Sequence, residues 1–157
     1  MKSIAVVITL ITWLLSASCT TKKATLPITG TWKLLSGSLI EKGDTTVTDY
    51  TGNKQFIKII NDTHFAFMSH DLNKGKDSAT ALFSAGGGKY SIKDSTYTEH
   101  LEYCSDRQWE NNDFQFTVTI KNDTLIQQGV EKVEGTNINR LNIEKYVRIP
   151  FDSAQGK

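Results

Sequence analysis

Strand-like alternation of apolar and polar residues recurs along this chain and limits its fold more than any other feature. In "DFQFTVTI", residues 113–120, apolar side chains occupy every second position from Phe114 to Ile120, with Gln and Thr between them. A β-strand with one buried face has this period of two. Polar turns rich in Asn, Asp and Ser separate such runs at 60–65, 92–97 and 120–126, as is typical of hairpins.

The pattern predicts eight to ten strands, at about 31–40, 45–50, 54–61, 64–69, 80–84, 89–93, 96–103, 113–121, 124–131 and 138–148. Consecutive hairpins favour an all-β, up-and-down antiparallel β-barrel over a sandwich, because closing the sheet removes its exposed edges. We expect irregular loops at 70–79 and 104–112, which could include a helical turn.

The first residues are typical of a bacterial lipoprotein signal. Lys2 is followed by an apolar run, Ile4 to Leu15, that is too short to span a bilayer as a helix, and then by small residues ending at Cys19. This order predicts cleavage after residue 18 and lipidation of Cys19, which would anchor the protein to a bilayer. The alternative is an ordinary signal peptide that leaves Cys19 as a free thiol.

The expected organisation is a signal peptide at 1–18, a lipidated N-terminus and tether at 19–28, a barrel at 29–149 and a tail at 150–157. The chain has 18 Lys and Arg and 17 Asp and Glu, so removing Lys2 leaves 17 of each sign and no net charge. Nucleic-acid binding needs a clustered positive surface, and we exclude it. The expected location is the bacterial cell envelope, on the outer membrane facing the periplasm.

A pair of residues marks the start and end of the expected barrel. Gly30-Thr31-Trp32 opens the first predicted strand, and Arg148 lies near the end of the last one. They resemble the calycin pattern of lipocalins and fatty-acid-binding proteins, in which the tryptophan closes one barrel end and the arginine packs across its ring. The resemblance implies that Gly30, Trp32 and Arg148 are structural residues that close the barrel.

Further blocks extend this resemblance over most of the chain. The sequence is similar to small lipocalin-like lipoproteins of gram-negative bacteria in "GTWKL", "FIKIINDTHFAF", "FSAGGGKYSI", "TYTEHLEY" and "NDTL". The resemblance implies a lipocalin-like barrel and no agreed ligand. The chain departs from a typical lipocalin after the barrel, where "PFDSAQGK" is too short and too polar for the helix usually found there.

The glycine run in "SAGGGKY", residues 84–90, does not form a phosphate-binding loop. Such a loop needs a glycine five residues before its Gly-Lys pair and Ser or Thr after it, and Phe83 and Tyr90 occupy these positions. We therefore expect a bulge, a sharp bend or a close approach of two backbones.

The strand "TYTEHLEY", residues 96–103, carries the most informative candidate. Its alternation predicts that Tyr97, Glu99 and Tyr103 point inward. A carboxylate inside a barrel is costly unless it is paired or hydrogen-bonded. Glu99 could bind the polar group of a ligand or act as a general base; alternatively it bonds to tyrosine hydroxyls or to an arginine such as Arg140, and this structural interpretation is favoured.

No motif indicates a catalytic centre, a cofactor or a metal site. The three histidines, at 64, 70 and 100, have no convergent carboxylate pattern, so zinc is not expected. With Cys19 acylated, Cys104 stands alone and cannot form an intrachain disulfide. No serine lies in a nucleophile-elbow context.

Three hypotheses follow, in order of preference. The first is a lipid-anchored binding protein that holds a small, mostly apolar ligand, with a polar group oriented by Glu99 or Arg140 and walls from Phe65, Phe67, Tyr97, Tyr103, Phe114 and Phe116. The second is a filled barrel that acts through an unknown protein partner, with Trp109 in a charged loop as a contact. The third is an acid–base enzyme that uses Glu99.

Overall fold

The computed structural model describes residues 26–150, which form nine β-strands and one short 3-10 helix. The predicted signal peptide, Cys19, most of the predicted tether and nearly all of the predicted tail lie outside the described residues. The elements are β1 (Gly30–Glu41), β2 (Asp44–Asp49), β3 (Lys54–Ile60), β4 (His64–Asp71), β5 (Phe83–Lys93), β6 (Thr96–Cys104), the 3-10 helix (Arg107–Trp109), β7 (Asn112–Lys121), β8 (Thr124–Lys132) and β9 (Asn139–Ile149).

These strands close into an antiparallel barrel. Each strand from β3 to β8 pairs with the next one along the chain, and β1 pairs with both β3 and β9. Eight strands therefore form the closed wall, and β2 is added beside the distal half of β1. The all-β, up-and-down barrel of eight to ten strands is confirmed, and the 3-10 helix is the helical turn expected within 104–112.

The wall has an irregular seam where β1 changes partners. Its first residues pair with β3, and those from Ser36 onward pair with β2. A bulge between Leu34 and Ser36 turns the strand, so Trp32, Leu34 and then Gly37 face the interior. Tyr50 follows β2, and its backbone N–H donates a 3.0 Å hydrogen bond to the Leu35 carbonyl, which holds the aromatic ring beside this seam.

The glycine run lies within a single strand, whereas the sequence predicted two strands at 80–84 and 89–93. Gly86 to Gly88 pair with β4 on one side and with β6 on the other. A side chain at Gly88 would collide with the His100 carbonyl oxygen, and one at Gly87 would lie 2.6 Å from the Phe65 carbonyl oxygen. The expected close approach of backbones is confirmed, and it allows the strand to continue through the run.

A second bulge at this place corrects the prediction for Tyr103. Gly87 pairs with Tyr103 and Gly88 with Leu101, so Glu102 is an extra residue on β6. The alternation of side chains therefore reverses after Leu101. Tyr103 points outward and is 71% exposed, so it cannot line the interior as predicted, and Cys104 faces inward in its place.

The apolar core fills one end of the barrel. Its fully buried members are contributed by seven strands and the segment before β1, and they include Ile28, Trp32, Leu34, Ile60, Phe65, Tyr97, Val118, Leu125 and Tyr146. This packed region is called the closed end below. The opposite half of the interior contains a cavity instead.

Candidate functional site

Trp32 and Arg148 seal the closed end. They are direct partners across the β1–β9 pairing, and the Arg148 guanidinium carbon lies 4.1 Å from the centre of the indole ring. The guanidinium also donates to the carbonyl oxygens of Thr29 (2.7 Å) and Pro27 (2.6 Å). The Trp32 Nε1–H donates to the Ile28 carbonyl at 2.7 Å. The arrangement matches the contact that the calycin resemblance implies for these two residues.

Gly30 is required at this end for two reasons. Its backbone φ of +142° is one that residues with a side chain rarely adopt. A Cβ there would also meet the Arg148 guanidinium. A glycine at this position thus leaves room for the arginine to cross the tryptophan ring.

A cavity of about 330 Å³ occupies the other half of the barrel interior. Six aromatic side chains contribute to its wall: Tyr50, Phe56, Phe67, Trp109, Phe114 and Phe116. Phe56 stacks on Phe67 at 5.6 Å and meets Tyr50 edge to face at 6.0 Å. Cavities of a few hundred Å³ with apolar walls and a few polar groups are typical of small-molecule sites.

A buried ion pair lies at the base of this cavity. The Lys58 ammonium donates to the Glu99 carboxylate at 2.7 Å and to the Gln127 side-chain oxygen at 3.1 Å. Lys58 is 3% and Glu99 7% exposed. The ammonium also lies 5.5–5.9 Å from the ring centres of Phe65, Tyr97 and Tyr146, so aromatic faces surround its remaining sides.

A second ion pair lies nearer the mouth. The Arg140 Nε–H donates to Glu131 at 2.8 Å, and the Asn142 amide donates to the other oxygen of that carboxylate at 2.7 Å. The Arg140 guanidinium carbon is 5.1 Å from the Trp109 ring centre. Both oxygens of Glu131 are therefore occupied by donors of the protein itself.

Glu144 is the third carboxylate of the cavity, and no lysine, arginine or histidine among residues 26–150 lies within ion-pair distance of it. It accepts one hydrogen bond, from the Tyr146 hydroxyl at 2.8 Å. Burial raises the pKa of the Glu144 carboxyl, and the charges of Glu131 and Glu99 add to the rise; Lys58 and the Tyr146 hydrogen bond oppose it. The cavity therefore contains a carboxylate that forms no ion pair with a side chain of residues 26–150.

Two tyrosines of the closed end differ in their polar contacts. Tyr146 and Tyr97 are both fully buried, and burial raises the pKa of each hydroxyl well above its ordinary value. The Tyr146 hydroxyl bonds to Glu144, whereas the Tyr97 hydroxyl has no hydrogen-bond partner among the described residues. Leaving a buried hydroxyl without a partner costs about 1–3 kcal/mol.

The predicted site residues divide into three groups. Phe67, Glu99, Phe114, Phe116 and Arg140 line the cavity. Phe65 and Tyr97 pack in the closed end, and Tyr103 is outside the barrel. Glu99 faces inward and is paired, as the favoured interpretation has it, but its partner is Lys58 and not Arg140.

Sequence reasoning missed most of the polar interior, namely Lys58, Gln127, Glu131, Asn142, Glu144 and Tyr146. For β9 a usable signal was present. Because Arg148 crosses the closed end, the period of two places 146, 144, 142 and 140 on the same inner face. The polar face of this strand is the buried one, which reverses the usual preference.

The histidines do not form a metal site in the described part of the chain. His64, His70 and His100 are exposed, and within residues 26–150 no group of three His, Cys, Asp or Glu residues is placed to hold a metal ion. In the same part of the chain, no helix has the length and apolarity that a membrane crossing requires. Cys104 lines the cavity, and burial raises the pKa of its thiol.

The sequence matches no protein-family model and no curated protein.

Proposed function

We propose that this protein is a lipid-anchored, lipocalin-like binding protein of the bacterial cell envelope that holds a small, mostly apolar ligand in its barrel. The observation that carries the proposal is the aromatic-walled cavity of about 330 Å³ in a barrel closed at one end. The calycin relationship is supported by the Trp32–Arg148 contact across the first and last strands. The anchor and its location are supported by the residues up to Cys19.

Co-purification tests the binding proposal. The full chain, purified from bacterial envelopes, is measured by native mass spectrometry, and any bound compound is extracted and identified. We expect a discrete additional mass of a few hundred daltons. A chain without bound mass that also binds no member of a panel of lipids and small hydrophobes would contradict the proposal and favour a filled barrel with a protein partner.

A matched pair of variants locates the ligand. Leu39→Trp adds volume inside the cavity, whereas Val47→Trp places the same side chain on an exposed position of β2. We expect the bound mass to be lost in the first variant and kept in the second. Loss or retention in both would place the ligand elsewhere.

Metabolic labelling tests the anchor. Cells that express the chain are grown with an alkynyl palmitate analogue, and incorporation into the purified protein is measured. We expect labelling of the wild-type chain and of Cys104→Ser, and none of Cys19→Ser. Labelling that depends on Cys104, or no labelling at all, would contradict acylation of Cys19.

A further inference from the structure

The charges inside the cavity do not balance. Lys58 is bound to Glu99 and Arg140 is bound to Glu131, each at 2.7–2.8 Å. Glu144 therefore remains as the carboxylate without a cation, and Asp106 adds another acidic side chain to the lining. An anionic ligand would meet two cations that are already paired and at least one carboxylate that is not.

The surroundings of Glu144 are of a kind that binds a cationic group. The carboxylate lies on the inner face of β9, opposite Gly37 of β1, and lines the same cavity as the aromatic wall. Tyr50 is close enough that the Glu144 charge adds to the burial that raises the pKa of its hydroxyl. Aromatic faces attract ammonium groups, and a carboxylate accepts their hydrogen bonds.

We propose that the cavity selects a small organic amine, whose ammonium group binds the Glu144 carboxylate and whose apolar body packs on the aromatic wall. This inference rests on the proposed function and deepens it, because it names the chemical class of the ligand. The amine supplies the missing positive charge, and the two ion pairs of the cavity remain as they are. A neutral or anionic compound of the same shape leaves Glu144 unbalanced.

Binding of an amine is coupled to the ionisation of Glu144. The titratable groups that act on it or line the same cavity are Lys58 of β3, Glu99, Tyr97 and Cys104 of β6, Asp106 after β6, Glu131 of β8, Arg140 and Tyr146 of β9, and Tyr50 before β3. An ammonium favours the ionised carboxylate, so a proton is released when the amine binds to the protonated form. Affinity consequently rises with pH until the carboxyl is ionised in the free protein.

Three compounds with one body test the proposal. Phenethylamine, 2-phenylethanol and 3-phenylpropionate share a phenyl ring and differ in an ammonium, a hydroxyl and a carboxylate. Each is titrated into the full-length chain in lipid nanodiscs by isothermal calorimetry at pH 7, with empty nanodiscs as the blank. We expect phenethylamine to bind at least about tenfold more tightly than the alcohol, with the acid the weakest of the three.

Variants assign the preference to one residue. Glu144→Gln keeps an acceptor for the Tyr146 hydroxyl and removes the charge, and Glu134→Gln removes an exposed carboxylate outside the cavity. We expect the first variant to lose the amine preference while binding 2-phenylethanol within about twofold of wild type, and the second to change neither. For the wild-type chain, we expect phenethylamine to bind more weakly at pH 5 than at pH 7. Titration in buffers of different ionisation enthalpy should reveal the proton release.

The outcomes separate this inference from the proposed function. Equal or tighter binding of the alcohol or the acid would overturn selection of an amine and leave a binding protein. An amine preference that survives in Glu144→Gln would overturn the role of this residue. If none of the three compounds binds, amine selection is wrong, and the co-purification experiment decides separately whether the barrel carries a ligand.

Discussion

The two charged side chains on the inner face of β9, Arg148 at the closed end and Glu144 in the cavity, differ in how the protein pairs them. At the closed end, Arg148 is held by the Trp32 ring and by two backbone carbonyls, and its Nε–H lies 3.3 Å from Asp123. In the cavity, Glu144 has a single hydrogen bond and no balancing cation among the described residues. Both groups lie on the inner face of β9, four residues apart.

This difference distinguishes a residue that stabilises the barrel, Arg148, from a residue that is available to a ligand, Glu144. At the closed end each nitrogen of the arginine's guanidinium and the indole N–H has a hydrogen-bond partner, so the geometry is fixed and contributes to stability. In the cavity, a charge without a partner costs free energy in the empty protein. A buried group that lowers stability in this way is typical of functional sites, which are less stable than the rest of a fold because their side chains are arranged for binding.

The largest expected effect comes from removing the indole at the closed end. Trp32→Ala leaves a hole among fully buried side chains, and we expect it to lower the free energy of unfolding by about 3–5 kcal/mol. Trp109→Ala removes the same side chain from the cavity mouth, where it is only half-buried, and should cost about 1 kcal/mol. Urea unfolding of both variants measures the difference.

Equal losses at the two positions would break the comparison. They would mean that the mouth is packed as tightly as the closed end, which does not fit a ligand cavity. If adding a ligand restores the free energy of unfolding that Trp109→Ala loses, the comparison is strengthened, because the ligand would be replacing the missing contacts.

The next effect concerns the ion pair between the two regions. Lys58→Met leaves the Glu99 carboxylate buried without its cation and should cost about 3–5 kcal/mol. The double variant Lys58→Met, Glu99→Gln removes both charges, so we expect it to regain most of that loss. Chemical unfolding of Lys58→Met, of Glu99→Gln alone and of the double variant gives the coupling between the two residues.

An exposed pair provides the control. Lys89 and Glu102 lie 3.4 Å apart on the outer wall, and the lysine side chain is 64% exposed. Lys89→Met should change stability by no more than about 0.5 kcal/mol. If the double variant of the buried pair loses as much unfolding free energy as the two single variants together, Lys58 and Glu99 do not act as a unit. Our interpretation of this ion pair would then be wrong.

The sequence was sufficient to predict the barrel because closure depends on features that recur along the chain. Alternation in residues 113–120 and polar turns between strands act locally, and the Trp32–Arg148 pair is a motif that a resemblance can reveal. Tyr103 shows where such reasoning ends. Its inward prediction assumed an uninterrupted period of two, and a single extra residue opposite the glycine run reverses it.

The pairing of the polar groups inside the barrel was not predictable, for a different reason. Hydrophobic patterning assigns apolar faces to the interior, yet Lys58 alternates with Phe56 and Ile60 and points inward with them. Whether such a charge is satisfied depends on Glu99, 41 residues away, and on Gln127, 69 residues away. Only the barrel register brings these three side chains together, so the site needs the complete topology.

The smallest expected effect tests Glu144 in the empty protein. Because burial raises the pKa of this carboxyl, the unfolded chain loses the proton first as pH rises, and stability falls from about pH 4.3 until the folded-state pKa is passed. Glu144→Gln has no such charge, and its amide can still accept the Tyr146 hydrogen bond. We therefore expect the variant to match wild type near pH 4 and to be the more stable of the two at pH 8. Urea unfolding across this range measures the difference, with Glu134→Gln as the exposed control. A variant that is less stable than wild type at pH 8 would show that the protein itself balances the charge, and Glu144 would then belong with Arg148 among the residues that stabilise the fold.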